Sequence, residues 1–290
     1  MVATKPSGSL KQFLDTKKAE TRLTGPIERH LLTRPLDTSR RQDVIHPSEL
    51  VKNDFCIRAS YFRIKGVTQN EDRPGLRLQS IFDEGHSIHH KWQEWIREGG
   101  WLYGVWQCND CGNRFWDTSP DCCNLCGEPQ VSYKEVPLTD PDLMIAGHSD
   151  GWVKGLKEDF MIEIKSVGSG TMRLEQPSLF KGGGDLFSAW RDVRRPFPTH
   201  IRQGQLYLEL ARRMAERGEL ETAPSEIVFL YELKADQSYK EFVVKADPFI
   251  VKEMLDNAYD IAHSVRSNNP PACNISPDGC KSCKDIEVPT

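Results

Sequence analysis

The run Phe160-Met161-Ile162-Glu163-Ile164-Lys165 alternates in the manner of a β-strand. Met161, Glu163 and Lys165 then share one face and Ile162 and Ile164 the other. A glutamate and a lysine on the buried part of a sheet are costly unless each has a partner or a metal. Gly147-His148-Ser149-Asp150 falls in the preceding strand region. If the two strands pair as a hairpin, Asp150 approaches Glu163. Two neighbouring carboxylates repel unless a cation sits between them. Hard oxygen ligands suit Mg²⁺ or Mn²⁺. His89 is the natural third ligand, on the apolar face of an expected helix over 77–98 and one turn after Gly85. The plainer readings are a satisfied core histidine and a surface Glu163–Lys165 ion pair. His86 and His90 also stand four apart, but they fall off the apolar stripe and read as polar-face residues.

The nine cysteines divide as four, four and one. Cys108-x2-Cys111, eleven residues, then Cys123-x2-Cys126 gives two knuckles. Each knuckle presents two thiolates to one ion, and four close a tetrahedron, the pattern of a structural Zn²⁺ site. Cys122 is the spare and is an alternative ligand to Cys123. The second group, Cys273, Cys280 and Cys283, is one thiolate short of a closed site. Cys56 is the only cysteine left outside the insert, so such a site would staple the two ends of the chain together. Pure thiolate sites suit zinc or an iron–sulfur cluster, and spacing does not choose between them.

The ordered set Gly85–His89, Gly147–Asp150, Glu163–Lys165 and Gln203–Tyr207 resembles the RecB-type nucleases of the PD-(D/E)xK superfamily. With Ser48, Cys56, Arg58, Tyr61 and Phe62 before it and the three C-terminal cysteines after it, it looks like the iron–sulfur exonucleases of that group. These include the CRISPR-associated RecB-like exonuclease family and its phage-encoded relatives. The likeness covers about residues 46–285. It implies that His89, Asp150 and Glu163, with the carbonyl of Ile164, bind a catalytic Mg²⁺ or Mn²⁺. It implies that Lys165 positions or activates the attacking water, and that Gln203 and Tyr207 line the site from the next helix. It also implies a 4Fe-4S cluster on Cys56, Cys273, Cys280 and Cys283. The two-knuckle insert lies outside the basic family pattern. Asp140-Pro141-Asp142 contains a Pro-Asp pair too, but Asp150 fits the GxxD element better.

The elements that must position these residues are read from periodicity. Ser48 is the expected N-cap of a helix leading to Cys56. In 77–98, Leu78, Ile81, Phe82, Gly85, Ile88, His89, Trp92, Trp95 and Ile96 recur at spacings of three and four. Strands are expected at 101–106, 131–138, 143–153, 160–167, 226–233 and 240–244. Helices are expected at 201–217, closed by Gly218, and at 248–266. This order predicts an α/β (α+β) fold: a restriction-endonuclease-like core with a central mixed sheet flanked by helices, plus a zinc-ribbon-like insert. The domain reading is an N-terminal extension at 1–45, a core at 46–106 and 130–272, an insert at 107–129 and a cysteine segment at 273–290. Arg191, Arg194, Arg195 and Arg202, interleaved with Trp190 and Phe197, read as a single-strand channel, with Gly182-Gly183-Gly184 as a hinge; the plainer reading is a solvated charged loop.

The chain has 290 residues, with 38 Lys and Arg against 42 Asp and Glu, a formal charge of −4. That excludes a binder whose whole surface is basic and leaves room for a local basic groove. No apolar run of membrane-spanning length and no signal-type N-terminus is present, so a cytoplasmic protein without membrane contact is expected. The expected activity is metal-dependent hydrolysis of DNA at strand ends, on single strands with 5′-to-3′ polarity, in recombination, repair or processing. The alternatives are a non-catalytic DNA-binding adaptor and a subunit active only with a recombination or CRISPR-type protein partner.

Overall fold

The computed structural model describes residues 22–35, 40–67 and 73–286, and parts of the expected N-terminal extension and C-terminal segment lie outside them. Two compact units are distinguished: residues 1–39 with 70–84, and residues 40–69 with 85–290. In the first unit, Arg73 donates to the carbonyls of Leu32, in the last turn of helix α1 (Thr24–Thr33), and of Arg34, which caps its end. No described helix is long and apolar enough to cross a membrane.

The second unit is built on a seven-stranded mixed sheet. Its strands are β1 (Leu102–Cys108), β2 (Arg114–Thr118), β3 (Val131–Tyr133), β6 (Gly151–Val153), β7 (Phe160–Val167), β8 (Glu226–Leu233) and β9 (Tyr239–Lys245). The path runs β2-β1-β6-β7-β8-β9, with β3 also on β1. Only β7–β8 is a parallel pair along that path. A parallel pair requires a crossover, and here it carries α5 (Ser169–Glu175), a 3₁₀ turn, α6 (Leu186–Asp192) and α7 (Pro198–Glu216). A separate hairpin joins β4 (Val136–Asp140) to β5 (Ile145–Ser149). The remaining helices are α2 (Pro47–Leu50), α3 (Ile57–Ile64), α4 (Leu76–Glu98, shared between the units) and α8 (Pro248–Ser267).

The sheet is covered on both faces, which is why β8 reads as a nearly continuous apolar run. Ile227, Phe229, Tyr231 and Leu233 join the core formed with α7 and α8. Val228 and Leu230 join a second core with Ile88, Ile162, Ile164, Leu102 and Trp106, against which Trp92 and Ile96 of α4 pack. Helix α7 approaches β8 closely because Gly204 carries no side chain. A Cβ there would lie 2.5 Å from Phe229 Cζ. Pro198 occupies the first turn of α7 and Gly218, at φ +73°, follows its end, the expected asymmetry of start and stop.

Several expectations change. The stretch 131–138 is two strands, broken at Glu135, whose φ is +61°. The stretch 143–153 is also two strands, β5 and β6, with Asp150 at the crossing from one sheet to the other. The strand expected at 101–106 starts at Leu102 and runs on to Cys108. Ser48 lies inside the four-residue α2, and His46 stands at its N-cap without a side-chain bond to the helix, its Nε2 being paired with the Arg41 carbonyl. The apolar stripe expected over 77–98 does not turn inward throughout: Leu78, Ile81, Phe82 and Trp95 are exposed, and Ile88 is the one fully buried residue of α4 among those described.

Candidate active site

The β6–β7 hairpin places Asp150 one residue before the Gly151–Ile162 pair. Its Oδ2 accepts the Ile164 N–H at 2.6 Å, and its Oδ1 lies 3.2 Å from His89 Nδ1. Helix α4 therefore supplies the imidazole and the hairpin supplies the carboxylate. A Cβ on Gly85 would lie 3.3 Å from Ser166 Oγ on β7, so the small residue keeps α4 close to the strand that carries Glu163 and Lys165.

Glu163 is buried, and Lys165 Nζ donates to its Oε1 at 2.7 Å. The same ammonium donates to Gln203 Oε1 at 3.0 Å, and Gln203 Nε2 donates to the buried Tyr207 hydroxyl at 2.8 Å. Gln203 and Tyr207 stand one turn apart on α7, so both face β7. The four elements β6, β7, α4 and α7 thus bring together His89, Asp150, Glu163, Lys165, Gln203 and Tyr207. They do so pairwise. Among the described residues only the two cysteine quartets place three or more His, Cys, Asp or Glu donor atoms within 4.8 Å of one another.

Electrostatics mark the same place. Burial, then the Asp150 charge, push the Glu163 carboxyl up to about 7 against the pull of Lys165. Burial lowers Lys165, but Glu163 and Asp150 outweigh it and hold the ammonium above its ordinary value. His89 behaves alike: burial pulls it down, and the bond to Asp150 with the nearby negative charges raises it above the usual imidazole value. Glu163 Oε2 is buried and has no hydrogen-bond partner among the described residues. An orphaned carboxylate oxygen beside a second carboxylate is an arrangement that a divalent cation satisfies. His89, Asp150 and Glu163 are therefore the residues that could hold such an ion.

Three further residues belong to this neighbourhood and have no short-range sequence signal. Gln93, one turn beyond His89, donates to the Asp150 carbonyl at 2.9 Å. Glu135, on the positive-φ residue between β3 and β4, is pushed up to about 7 by burial and by Asp150. Glu232 on β8 is 1% exposed and accepts from Lys91 Nζ through both oxygens and from Trp92 Nε1, all at 2.6 Å. Lys91 and Trp92 immediately follow His90, so this carboxylate fastens α4 just beyond His89. An isolated glutamate in an apolar strand is the one hint the sequence carries.

The reading of residues 190–202 divides. Arg191, Arg194 and Arg195 are exposed, as a phosphate-contacting surface requires. Trp190 and Phe197 do not interleave with them as stacking platforms: both are buried in the α7–α8 core. Segment 186–192 is helical because Asp185 caps it, accepting from Phe187 and Ser188. Lys240 Nζ donates to the carbonyls of Trp190, Arg191 and Val193 and holds its end.

Both cysteine groups assemble. Cys108, Cys111, Cys123 and Cys126 form one quartet at the β1–β2 end of the sheet, and Cys122 stays outside it, exposed. Cys56, at the N-cap of α3, meets Cys273, Cys280 and Cys283 in the other. Each quartet can bind a metal.

No known family profile matches the chain. No curated protein sequence matches it either. Among solved structures, an alkaline exonuclease from Laribacter hongkongensis is 15% identical, with a TM-score of 0.42 over 79% of this chain and 90% of its own. The complex of that enzyme with dAMP gives 14% identity and a TM-score of 0.40, over 78% and 90%. At this depth no residue role is transferred from either.

Proposed function

We propose that the protein is a divalent-metal-dependent deoxyribonuclease that hydrolyses phosphodiester bonds at DNA ends. The observation that carries this reading is the buried Asp150 and Glu163 with the half-buried Lys165, in which one Glu163 oxygen is held by Lys165 and the other is orphaned. His89, Asp150 and Glu163, with the backbone of Ile164, are the residues that would hold the ion. A Mg²⁺ or Mn²⁺ there would supply charge neutralisation for the phosphate and a water of lowered pKa.

The chain's own groups do the rest. Lys165, anchored by Glu163 and Gln203, holds a fixed positive charge where negative charge develops at phosphorus, without reorganising during reaction. Tyr207 orients Gln203, and Gln203 orients Lys165. Gln93 and the Ile164 N–H fix Asp150 from two sides. Arg191, Arg194 and Arg195 offer charge to the backbone phosphates. Single-stranded DNA and 5′-to-3′ digestion complete the reading, by resemblance to the iron–sulfur exonucleases.

The test is digestion of end-labelled single-stranded and duplex DNA with Mg²⁺ or Mn²⁺, the parent beside Lys165→Ala and Glu163→Gln. Metal-dependent release of label by the parent, reduced about a hundredfold or more in both variants, is expected. Parent and variants digesting DNA equally would place the site elsewhere. A folded parent that binds DNA without turnover under either ion would make the protein a binding module.

A further inference from the structure

The two cysteine quartets have similar sulfur–sulfur spacings, and such spacings discriminate between metal centres. In the insert, Cys108 and Cys126 sulfurs are 3.6 Å apart and those of Cys111 and Cys123 are 3.8 Å apart. In the quartet that joins the chain ends, Cys56 and Cys273 are 3.9 Å apart and Cys280 and Cys283 are 3.8 Å apart. All four sulfurs of either quartet lie within 4.8 Å of one another.

A zinc–thiolate bond is about 2.3 Å, so the edge of a four-sulfur tetrahedron around one ion is about 3.8 Å. A four-iron cluster is different. Its thiolates radiate from four separate irons at alternate corners of a cube, which drives their sulfurs to roughly 6 Å or more apart. The end-joining quartet has the single-ion edge. Its Cys56–Cys273 and Cys280–Cys283 edges would each have to lengthen by about 2 Å, and every other edge by about 1 Å or more, to admit a cubane.

The surroundings oppose that expansion. Cys56 Sγ accepts the Ala59 N–H of the first turn of α3, and Cys283 Sγ accepts the Cys280 N–H, both at 3.4 Å. Asn274, next to Cys273, is bonded twice to the other chain end: its Oδ1 accepts from Ile57 N and its Nδ2 donates to the Phe55 carbonyl, each at 3.0 Å. Arg58 Nη1 donates to the Pro271 carbonyl at 3.0 Å. Cys56 and Cys283 are buried, at 4% and 3% exposure. The insert quartet repeats the contact, with Leu125 N–H donating to Cys123 Sγ at 3.4 Å.

We propose that Cys56, Cys273, Cys280 and Cys283 hold one tetrahedral zinc ion in place of the four-iron cluster that the family resemblance implies, which makes the chain a two-zinc protein. The inference is independent of the nuclease reading, because it is read out in metal content without DNA.

The experiment uses the full chain, purified without oxygen from cells supplied with both iron and zinc. Two zinc ions per chain, no acid-labile sulfide and no visible colour are expected. Cys280→Ser and Cys111→Ser should each fall to one zinc. Brown protein with about four irons and four sulfides per chain would overturn the proposal, as would retention of two zinc ions by Cys280→Ser. Should Cys280→Ser fail to fold, Co²⁺ titration of the metal-stripped parent decides. Two equivalents with tetrahedral thiolate–cobalt spectra support the proposal, and one equivalent overturns it.

Discussion

Glu232→Gln tests whether a remote carboxylate sets the position of the helix that carries His89. The parent side chain accepts three bonds of 2.6 Å, two from the Lys91 ammonium and one from Trp92. Its exposure is 1% and that of the Lys91 side chain 30%, so water screens the pair only from one side. Hydrogen bonds to charged groups contribute about 1.5–3 kcal/mol each in net terms, and breaking a buried pair from one side costs about 3–5 kcal/mol. Glutamine keeps the shape and one acceptor oxygen but turns an amide N–H₂ toward an ammonium. A loss of about 2–3 kcal/mol follows, or about 3–5 °C in Tm for a chain of this size. Urea unfolding of parent and variant, read at constant m-value, gives the number. The double variant Lys91→Met with Glu232→Leu removes both charges together and should regain part of the loss, because apolar replacement of a buried pair is close to neutral while Trp92 Nε1 still loses its acceptor. A Glu232→Gln protein within about 0.5 kcal/mol of the parent, or a double variant no better than the single one, would refute the reasoning.

Two other outcomes follow from the packing around α7. His200 bonds to Tyr231, and burial, with the Lys165 charge, holds its imidazole down at about 3. The unfolded chain binds that proton near pH 6.5, so stability is complete above 6.5 and declines as pH falls toward 3, by about 2 kcal/mol at pH 5. His200→Gln should flatten that part of the stability–pH curve in urea titrations, and an unchanged slope would assign the dependence to other groups. Gly204→Ala drives a methyl to within 2.5 Å of Phe229 Cζ. It should cost about 1–3 kcal/mol by overpacking, and a variant as stable as the parent in the same assay would show that α7 can move away from β8.

The strand pattern at 160–167 was legible because alternation decides the face of every residue: Met161 and Glu163 turn toward α7, Ile162 and Ile164 toward α4. The cysteine knuckles were legible because two thiolates with two residues between them, repeated eleven residues on, have few other uses. Glu232 was not, because its partners lie about 140 residues away and its own neighbours are apolar. Glu135 and Asp150 were read inside continuous strands, although each is the residue at which the chain leaves one pairing for another. Hydropathy cannot register a change of partner. Trp190 and Phe197 misled for a related reason: aromatics between arginines suit a stacking surface, but Trp190 lies in the short helix that Asp185 caps and Phe197 stands at the N-cap of α7, and both turn into the core.

The order in which the chain can assemble its acidic centre follows from the β6–β7 hairpin. Asp150 reaches the Ile164 amide across 14 residues, whereas His89 reaches Asp150 across 61 and Gln203 reaches Lys165 across 38. Closing the longest of these loops costs about 1 kcal/mol more in chain entropy than closing the hairpin. The two carboxylates therefore meet through a local contact, of the kind that forms fast, while the imidazole and the lysine's anchor arrive with the slower long-range packing of α4 and α7. A nascent chain ending near residue 170 already holds both carboxylates of the centre and the lysine beside them, but the helix that steadies that lysine is still to be made.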